Sequence, residues 1–123
     1  MYHVNMIVDV TDLGVYRDSL GLLEEVYDFC RKLPASEKDT VSQIKRAAKS
    51  VSANISEGFA KRKSAKEFKR FLMIAMGSSD EVVTHLRNVY VTFIVFRDDA
   101  KILGVKYKTL SKRINKLHSS WFD

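Results

Sequence analysis

The sequence lacks the features that mark secreted and membrane-spanning proteins. It has one cysteine, Cys30, in 123 residues, which excludes an internal disulfide framework and fits a reducing compartment. Its apolar runs are far shorter than the roughly 20 residues that cross a membrane. The N-terminus shows no basic, apolar and small-residue regions of a signal peptide. We therefore expect a cytoplasmic protein that does not enter a membrane.

Catalytic and metal-binding patterns are also scarce. The three histidines, at positions 3, 85 and 118, are dispersed and form no pair at helical spacing. With five glycines, the chain has no Gly-rich phosphate loop, and it has no ExxH motif of di-iron bundles. Cys30 falls on an apolar stripe and is interpreted as a small buried side chain. We predict a protein that is not an enzyme, with no metal, no cofactor and no small-molecule substrate.

The sequence does have four segments in which apolar residues recur at alternating steps of three and four. This period of 3.5 is typical of helices packed side by side at small crossing angles. The stripes are Leu13, Tyr16, Leu20, Leu23, Tyr27 and Cys30; Val41, Ile44, Ala48, Val51 and Ile55; Phe68, Leu72, Ala75, Ser79, Val82, Leu86, Val89, Phe93 and Phe96; Leu103, Tyr107, Leu110, Ile114, Leu117 and Trp121.

Residues that start and stop helices fall between these stripes. The single proline, Pro34, is expected to end the first helix, and Ser36 to cap the second. Gly58 is predicted to stop the second helix in the left-handed conformation. Ser64 and Glu67 have the spacing of a capping box for the third helix.

The fourth helix is expected to start at Asp98 or Asp99. Before it, residues 89–96 are nearly apolar all round, but they continue the register of the third helix, which favours helix over strand. We predict an all-α fold, an up-down-up-down antiparallel four-helix bundle over residues 11–123. Residues 1–10 are predicted to form an N-terminal arm.

The net charge of +6 is unevenly distributed. Residues 40–78 carry nine basic and two acidic side chains, and residues 101–122 carry six basic and none acidic. Blocks of this kind either attract a polyanion or keep a helix face solvated. Cations in the first turns of a helix oppose its dipole, and free N–H groups there favour phosphate. The candidate nucleic-acid contacts are Lys45, Lys49, Lys61, Arg62, Lys63, Lys66, Lys69, Arg70, Lys101, Lys108, Lys112 and Lys116.

Three motifs together resemble a known family. Residues 42–59 have the pattern S-x-x-x-R/K-A-A-x-S-V-x-A-N-I-x-E-G-F; residues 64–72 and 74–78 supply S-x-K-E-F-x-R-F-L and I-A-x-G-S. They resemble four-helix-bundle proteins encoded by intervening sequences inside bacterial large-subunit rRNA genes. The similarity covers roughly residues 12–90; after Val89 the family commonly has a Gly-containing turn where this chain has residues 92–95.

The resemblance implies a ring-like homo-oligomer, expected to be a pentamer, with a link to RNA. It supplies no catalytic residue. Two alternatives stay open: a protein-interaction scaffold whose lysines meet an acidic partner, and an accessory protein of a reverse transcriptase, a role found in a related group of bundles. No aromatic RNP pattern or GXXG clamp is present, so sequence-specific RNA recognition is not expected.

The remaining marked residues are interpreted structurally. Asn54 and Glu57 are predicted to fix the end of the second helix or a subunit contact, with Glu57 paired to Arg46, Arg62 or another cation. Glycine inside a helix costs about 1 kcal/mol relative to alanine. We expect close approach of another helix at Gly77 to compensate for this cost. Burial between subunits is predicted for four apolar residues outside the main stripe: Phe71, Ile74, Tyr90 and Ile94.

Overall fold

The computed structural model describes residues 7–122, which form four α-helices and three single-turn 3-10 helices. The α-helices are α1 (Gly14–Arg31), α2 (Lys38–Ala60), α3 (Ala65–Thr92) and α4 (Arg97–Ser120). The 3-10 turns, Val10–Asp12, Ala35–Glu37 and Ile94–Phe96, precede α1, α2 and α4. Within residues 7–122 there is no β-strand, so the all-α prediction is confirmed.

Each helix packs against two others: α1 on α2, α2 on α3, α3 on α4, and α4 back on α1. Short connections join successive helices, so neighbours run antiparallel and the chain forms the predicted up-down-up-down bundle. The α2–α3 turn lies at one end, which we call the α2–α3 end. The end of α4 lies there too, because the ring of Trp121 packs edge-on against that of Phe68 with 4.6 Å between centroids.

The predicted core stripe of α4 is confirmed, and those of α2 and α3 are confirmed except at their ends, where Val41, Phe93 and Phe96 are partly buried and the two phenylalanines lie beyond α3. Ile44, Ala48, Val51 and Ile55 are fully buried in α2, and all six stripe residues of the fourth helix, through Trp121, are buried. In α3 the stripe is buried from Phe68 to Val89. These side chains form one continuous apolar core.

The predicted core stripe of α1 is only partly right: Leu13 and Cys30 are buried, Tyr16, Leu23 and Tyr27 are partly buried against the core, and the fully buried face is displaced toward the neighbouring stripe. Leu20, which belongs to the predicted stripe, is 42% exposed, whereas Val26 and Phe29 on the neighbouring stripe are buried. The true stripe also contains Ser19, which is fully buried because its hydroxyl donates to the Tyr16 carbonyl at 2.6 Å. Because this serine interrupts the apolar pattern, the sequence alone does not indicate that this face of α1 is buried in the core.

Two of the predicted helix signals near α2 differ from the structure. Pro34 does follow the end of α1. Ser36 does not cap α2; it lies within the 3-10 turn, and α2 begins at Lys38 after Glu37 without a side-chain cap. The 3-10 turn moves the helix start two residues beyond the expected cap.

Gly58 does not stop α2, which continues to Ala60, and no glycine in residues 7–122 has positive φ. Its role is close packing instead. A Cβ atom at Gly58 would lie 2.6 Å from Phe71 Cβ and 3.1 Å from Phe68 Cδ1. The absence of a side chain therefore lets α2 approach α3.

Gly77 was expected to permit close approach of another helix, but no other helix among the described residues of this chain approaches it. Gly77 is exposed, and a Cβ built there would meet no atom within 4 Å. Its neighbours Ala75 and Ser79 are buried on the opposite side of α3. Small residues in one stretch of α3 thus point both inward and outward.

Half of the predicted capping box of α3 is present. Ser64 Oγ accepts a hydrogen bond from the Glu67 N–H at 3.2 Å. The carboxylate of Glu67 turns to Arg70, at 3.1 and 3.3 Å, and the Ser64 N–H donates to the Lys61 carbonyl at 3.0 Å. The serine is the cap, and the glutamate is an ion-pair partner.

The apolar segment of residues 89–96 divides between helix and turn. It stays helical to Thr92, and Phe93 is extended. Arg97 begins α4, donates from Nε to the Tyr90 carbonyl at 3.0 Å and stacks on the Tyr90 ring. A cation at the end of a helix suits its dipole. α4 therefore begins one position before the expected start, and Asp98 and Asp99 lie in its first turn.

The first six residues of the predicted arm lie outside the described residues. Ile7 is buried in the core, and Val10–Asp12 forms a turn that the side chains of Asp9 and Asp12 cap reciprocally. The boundary between arm and bundle stays a prediction.

Candidate nucleic-acid interface

The surface between α1 and α4 has matched charges. Lys106 Nζ lies 2.6 Å from Glu25 Oε1, and Lys32 Nζ lies 3.0 Å from Asp99 Oδ2. A third pair joins Arg113 to Asp18. Carboxylates of α1 therefore pair with Lys106 and Arg113 of α4, and Asp99 of α4 pairs with Lys32 just after α1.

The other lysines of α4 lie away from α1. Lys101, Lys108, Lys112 and Lys116 are exposed, and none has an ion pair with another residue in 7–122. Lys101 and Lys108 line a groove shared with Arg87 of α3. This row consequently belongs to the α3–α4 side of the bundle.

The first turns of α3 add a second group of cations on that side. Lys66, Lys69 and Arg70 are spaced i, i+3 and i+4, so they share one helix face. They line a groove with Met73 of α3, with His118 in the last turn of α4 and with Phe122 just after that helix. Both grooves lie between the same two helices.

Arg87 is the cation of α3 that lies in the groove with Lys101 and Lys108. It follows Lys69 by 18 residues, which is five helical turns and about 27 Å along the axis. Asp80 lies between them, where its Oδ1 is 2.7 Å from the Ser111 hydroxyl of α4. We define the α3–α4 basic face as Lys66, Lys69, Arg70, Arg87, Lys101, Lys108, Lys112 and Lys116.

The cations of the α2–α3 turn differ in how firmly they are held. Arg62 stacks on the Phe59 ring at 4.0 Å and donates to the Phe59 carbonyl, so it caps the end of α2. Lys61 lies 5.2 Å from the centroid of Phe71. Lys63 is exposed. All three lie at the same end of the bundle as Lys66.

Lys45 and Lys49 lie on a different surface. Their Nζ atoms are 4.4 and 5.8 Å from the ring centroid of Tyr27 in α1. They therefore belong to the α1–α2 side, across the bundle from the α3–α4 pair. Within a single chain, the twelve predicted cations do not form one continuous surface.

Arg70 is the member of the basic face with a defined ionic partner. Its hydrogen bond to Glu67 lowers the pKa of that carboxyl and raises the pKa of the guanidinium. The guanidinium also stacks on Phe71 at 4.4 Å. Arg70 is thus held in place on α3, with its outer edge at the groove.

The polar motif of α2 joins two helices. Asn54 Nδ2 donates to the Ser50 carbonyl at 2.8 Å, and Ser50 Oγ lies 2.8 Å from Ser78 Oγ of α3. This contact agrees with a structural role for Asn54. Glu57 is exposed and forms no ion pair with any residue between 7 and 122, so its predicted pairing with a nearby arginine is not found.

Titratable groups in the core lie apart from these grooves. Burial raises the pKa of Cys30 and, more strongly, that of Tyr107. Among the described residues, no group of three or more His, Cys, Asp or Glu could hold a metal ion. None of the described helices combines the length and apolarity needed to cross a membrane.

Three residues of the α3–α4 side were not predicted from the sequence: Arg87, His118 and Phe122. The 18-residue spacing from Lys69 is a signal that finds Arg87, since it repeats the helical angle. His118 and Phe122 join the site only because α4 ends beside the start of α3. The spacing of residues within one helix cannot predict this contact between the end of α4 and the start of α3.

The antiparallel four-helix bundle, with one charge-matched side and one largely unpaired basic side among the described residues, defines a small all-helical protein with a cationic surface. The chain belongs to the 23S rRNA-intervening sequence protein family, whose model matches residues 11–116. The match confirms the resemblance and extends beyond Val89 into α4. A search of curated proteins finds no match.

Proposed function

We propose that this protein is a non-catalytic RNA-binding bundle that contacts phosphates along the α3–α4 basic face. The supporting observation is the contrast between two sides of α4. Lys106 and Arg113 have carboxylate partners on α1. On the basic face, Arg70 alone has an ion pair with another described residue.

The arrangement of these cations suits a phosphate backbone. Lys101 and Lys116 are 15 residues apart, which is about 22 Å along α4, and the row on α3 runs beside them. Lysines and arginines that neutralise phosphates release counterions and bind without reading bases. The chain has no RNP or GXXG motif, so we propose binding that depends on backbone charge rather than sequence.

We also propose that the protein acts as a homo-oligomer, which the family resemblance predicts to be a pentamer. Six large apolar side chains are exposed around the α3–α4 connection, opposite the α2–α3 end: Tyr90, Val91, Ile94, Val95, Ile102 and Val105. Exposed apolar patches of this kind mark protein contacts. Because Tyr90 and Val105 line the groove that contains Lys101 and Lys108, such a contact would border that end of the basic face and leave the cations at the α2–α3 end free for RNA.

The same apolar residues favour a second candidate, a scaffold that binds an acidic protein. In that case the basic face would recognise carboxylates, and RNA would not compete. We favour RNA because the family is named for an rRNA intervening sequence. We place the protein in the cytoplasm, where RNA is available and the thiol of Cys30 stays reduced.

The test is a titration of the full chain with a structured RNA and a single-stranded RNA at low and at physiological salt. We expect binding to both at low salt and a marked loss at higher salt, because phosphate contacts displace condensed counterions. Absence of binding at low salt would overturn the proposal. Native mass measurement tests the oligomer, and a stable monomer would refute that part.

A further inference from the structure

One groove of the basic face contains an exposed aromatic ring. Phe122 is 54% exposed, although the residue before it, Trp121, is 3% exposed and packs on Phe68. The buried tryptophan fixes the backbone just after α4, so Phe122 is placed beside the first turns of α3. Phe122 is not part of the apolar core, so packing of the core does not explain an aromatic residue at this position.

The groove combines this ring with positive charge. It is an open groove of about 550 Å³ that is lined by Ala65, Lys66, Lys69, Arg70, Met73, His118 and Phe122. Lys66 and Lys69 have no ion pair with any residue in the described range. An apolar ring beside unpaired cations matches a nucleotide, which carries a flat base and an anionic phosphate.

We infer that this groove binds an unpaired nucleotide of RNA, with its base stacked on Phe122 and its phosphates at Lys66 and Lys69. The inference rests on the proposed function and narrows its ligand to single-stranded RNA at this end of the bundle. In a duplex the base faces are covered by their neighbours, so they cannot reach an aromatic side chain. Stacking on aromatic residues is the common way to hold unpaired bases without reading their sequence.

The experiment compares oligouridine, the same oligomer with abasic sugars, and an RNA duplex, each titrated into the full chain at low salt. The variants are Phe122→Leu, which keeps an apolar side chain, and Phe122→Trp, which keeps a stacking surface. Wild type is expected to bind oligouridine roughly 5- to 150-fold more tightly than Phe122→Leu, the range for one stacked base. Phe122→Trp should restore the affinity.

Two controls separate stacking from charge. The abasic oligomer and the duplex should bind wild type and Phe122→Leu equally, because neither offers a free base. Circular dichroism and native mass should be the same for all three proteins. A change in mass would assign Phe122 to a subunit contact and overturn the inference.

The failure of this inference differs from the failure of the proposed function. If wild type binds both duplex and oligouridine and Phe122→Leu weakens neither, the stacking site is wrong and phosphate binding stands. If wild type binds neither RNA at low salt, the proposed function fails and the stacking site fails with it.

Discussion

Replacing two helical glycines by alanine should change stability in opposite directions. In a helix interior, alanine is favoured over glycine by about 1 kcal/mol. At Gly77 the new methyl group meets no atom within 4 Å, so the whole gain should appear. We expect Gly77→Ala to raise the free energy of unfolding by about 1 kcal/mol.

At Gly58 the same methyl group meets atoms that cannot rotate away. The distance of 2.6 Å to Phe71 Cβ is about 1 Å shorter than a normal carbon contact, and the Phe68 carbonyl oxygen is 3.2 Å away. The helices must separate, and overpacking costs about 1–3 kcal/mol. Because these contacts involve the backbone and a Cβ atom, the overpacking cost should lie near its upper value of about 3 kcal/mol. After the gain of about 1 kcal/mol in helix propensity, Gly58→Ala should lower the free energy of unfolding by about 2 kcal/mol.

Urea denaturation followed by circular dichroism measures both variants against wild type. The two should differ by about 3 kcal/mol, and the measurement should be repeated at several protein concentrations because association couples to stability. If Gly58→Ala is as stable as wild type, α2 and α3 do not approach as closely as described. If Gly77→Ala is destabilised, Gly77 has a packing partner in the assembly.

Three further substitutions test two buried polar groups of the core and the 3-10 turn Val10–Asp12 that precedes α1. Tyr107→Phe should stabilise the protein by about 1 kcal/mol, because the buried hydroxyl has no partner among the described residues; a loss of stability in urea would show that it has one. Ser79→Ala removes a 3.0 Å hydrogen bond from α3 to the Tyr107 carbonyl and should cost about 0.5–1 kcal/mol; an unchanged midpoint would contradict a role for this bond. The pKa of Asp12 is lowered by hydrogen bonds from the N–H groups of Asp9 and then Val8, so its stabilisation is present above the ordinary pKa and lost as pH falls through the lowered value. Asp12→Asn should therefore be less stable than wild type at pH 7, with the difference closing below about pH 4; a difference that persists in acid would exclude charge as its cause.

The period of the apolar residues predicted three of the four core faces. In α1 it found only part of the face, because Ser19 lies on the buried side, and a polar residue whose hydrogen bond is satisfied by its own helix cannot be recognised by hydropathy. The predicted role of Gly58 was also wrong. A glycine near a helix end fits a stop signal, and only the atoms of the facing helix show that Gly58 serves close packing instead.

The two basic blocks in the sequence predicted most of the cations of the candidate site, but not which side of the bundle each cation occupies. The sequence assigned the α4 lysines to one side, and the register of α1 then shows why Lys106 and Arg113 are excluded: Glu25 and Asp18 face them. Lys45 and Lys49 were grouped with the others because sequence does not report which neighbour a helix side faces. Phe122 depends on the contact between the end of α4 and the start of α3.

Two lysine rows with identical spacing allow a matched comparison of the bundle's opposite sides. Lys101, Lys108 and Lys112 lie on the α3–α4 basic face, and Lys38, Lys45 and Lys49 repeat the steps of seven and four on α2. Changing each row to glutamine removes the same charge from different sides. Circular dichroism should show that both triple variants fold.

The most direct test of the RNA-binding proposal is the slope of log K against log salt for single-stranded RNA with wild type and both triple variants. Each phosphate contact contributes about −0.7 to this slope. The α4 variant should therefore lose up to about 2 from the magnitude of the slope, and the α2 variant should match wild type. Equal slopes for the two variants, or no salt-dependent binding by wild type, would contradict the assignment of RNA to the α3–α4 basic face.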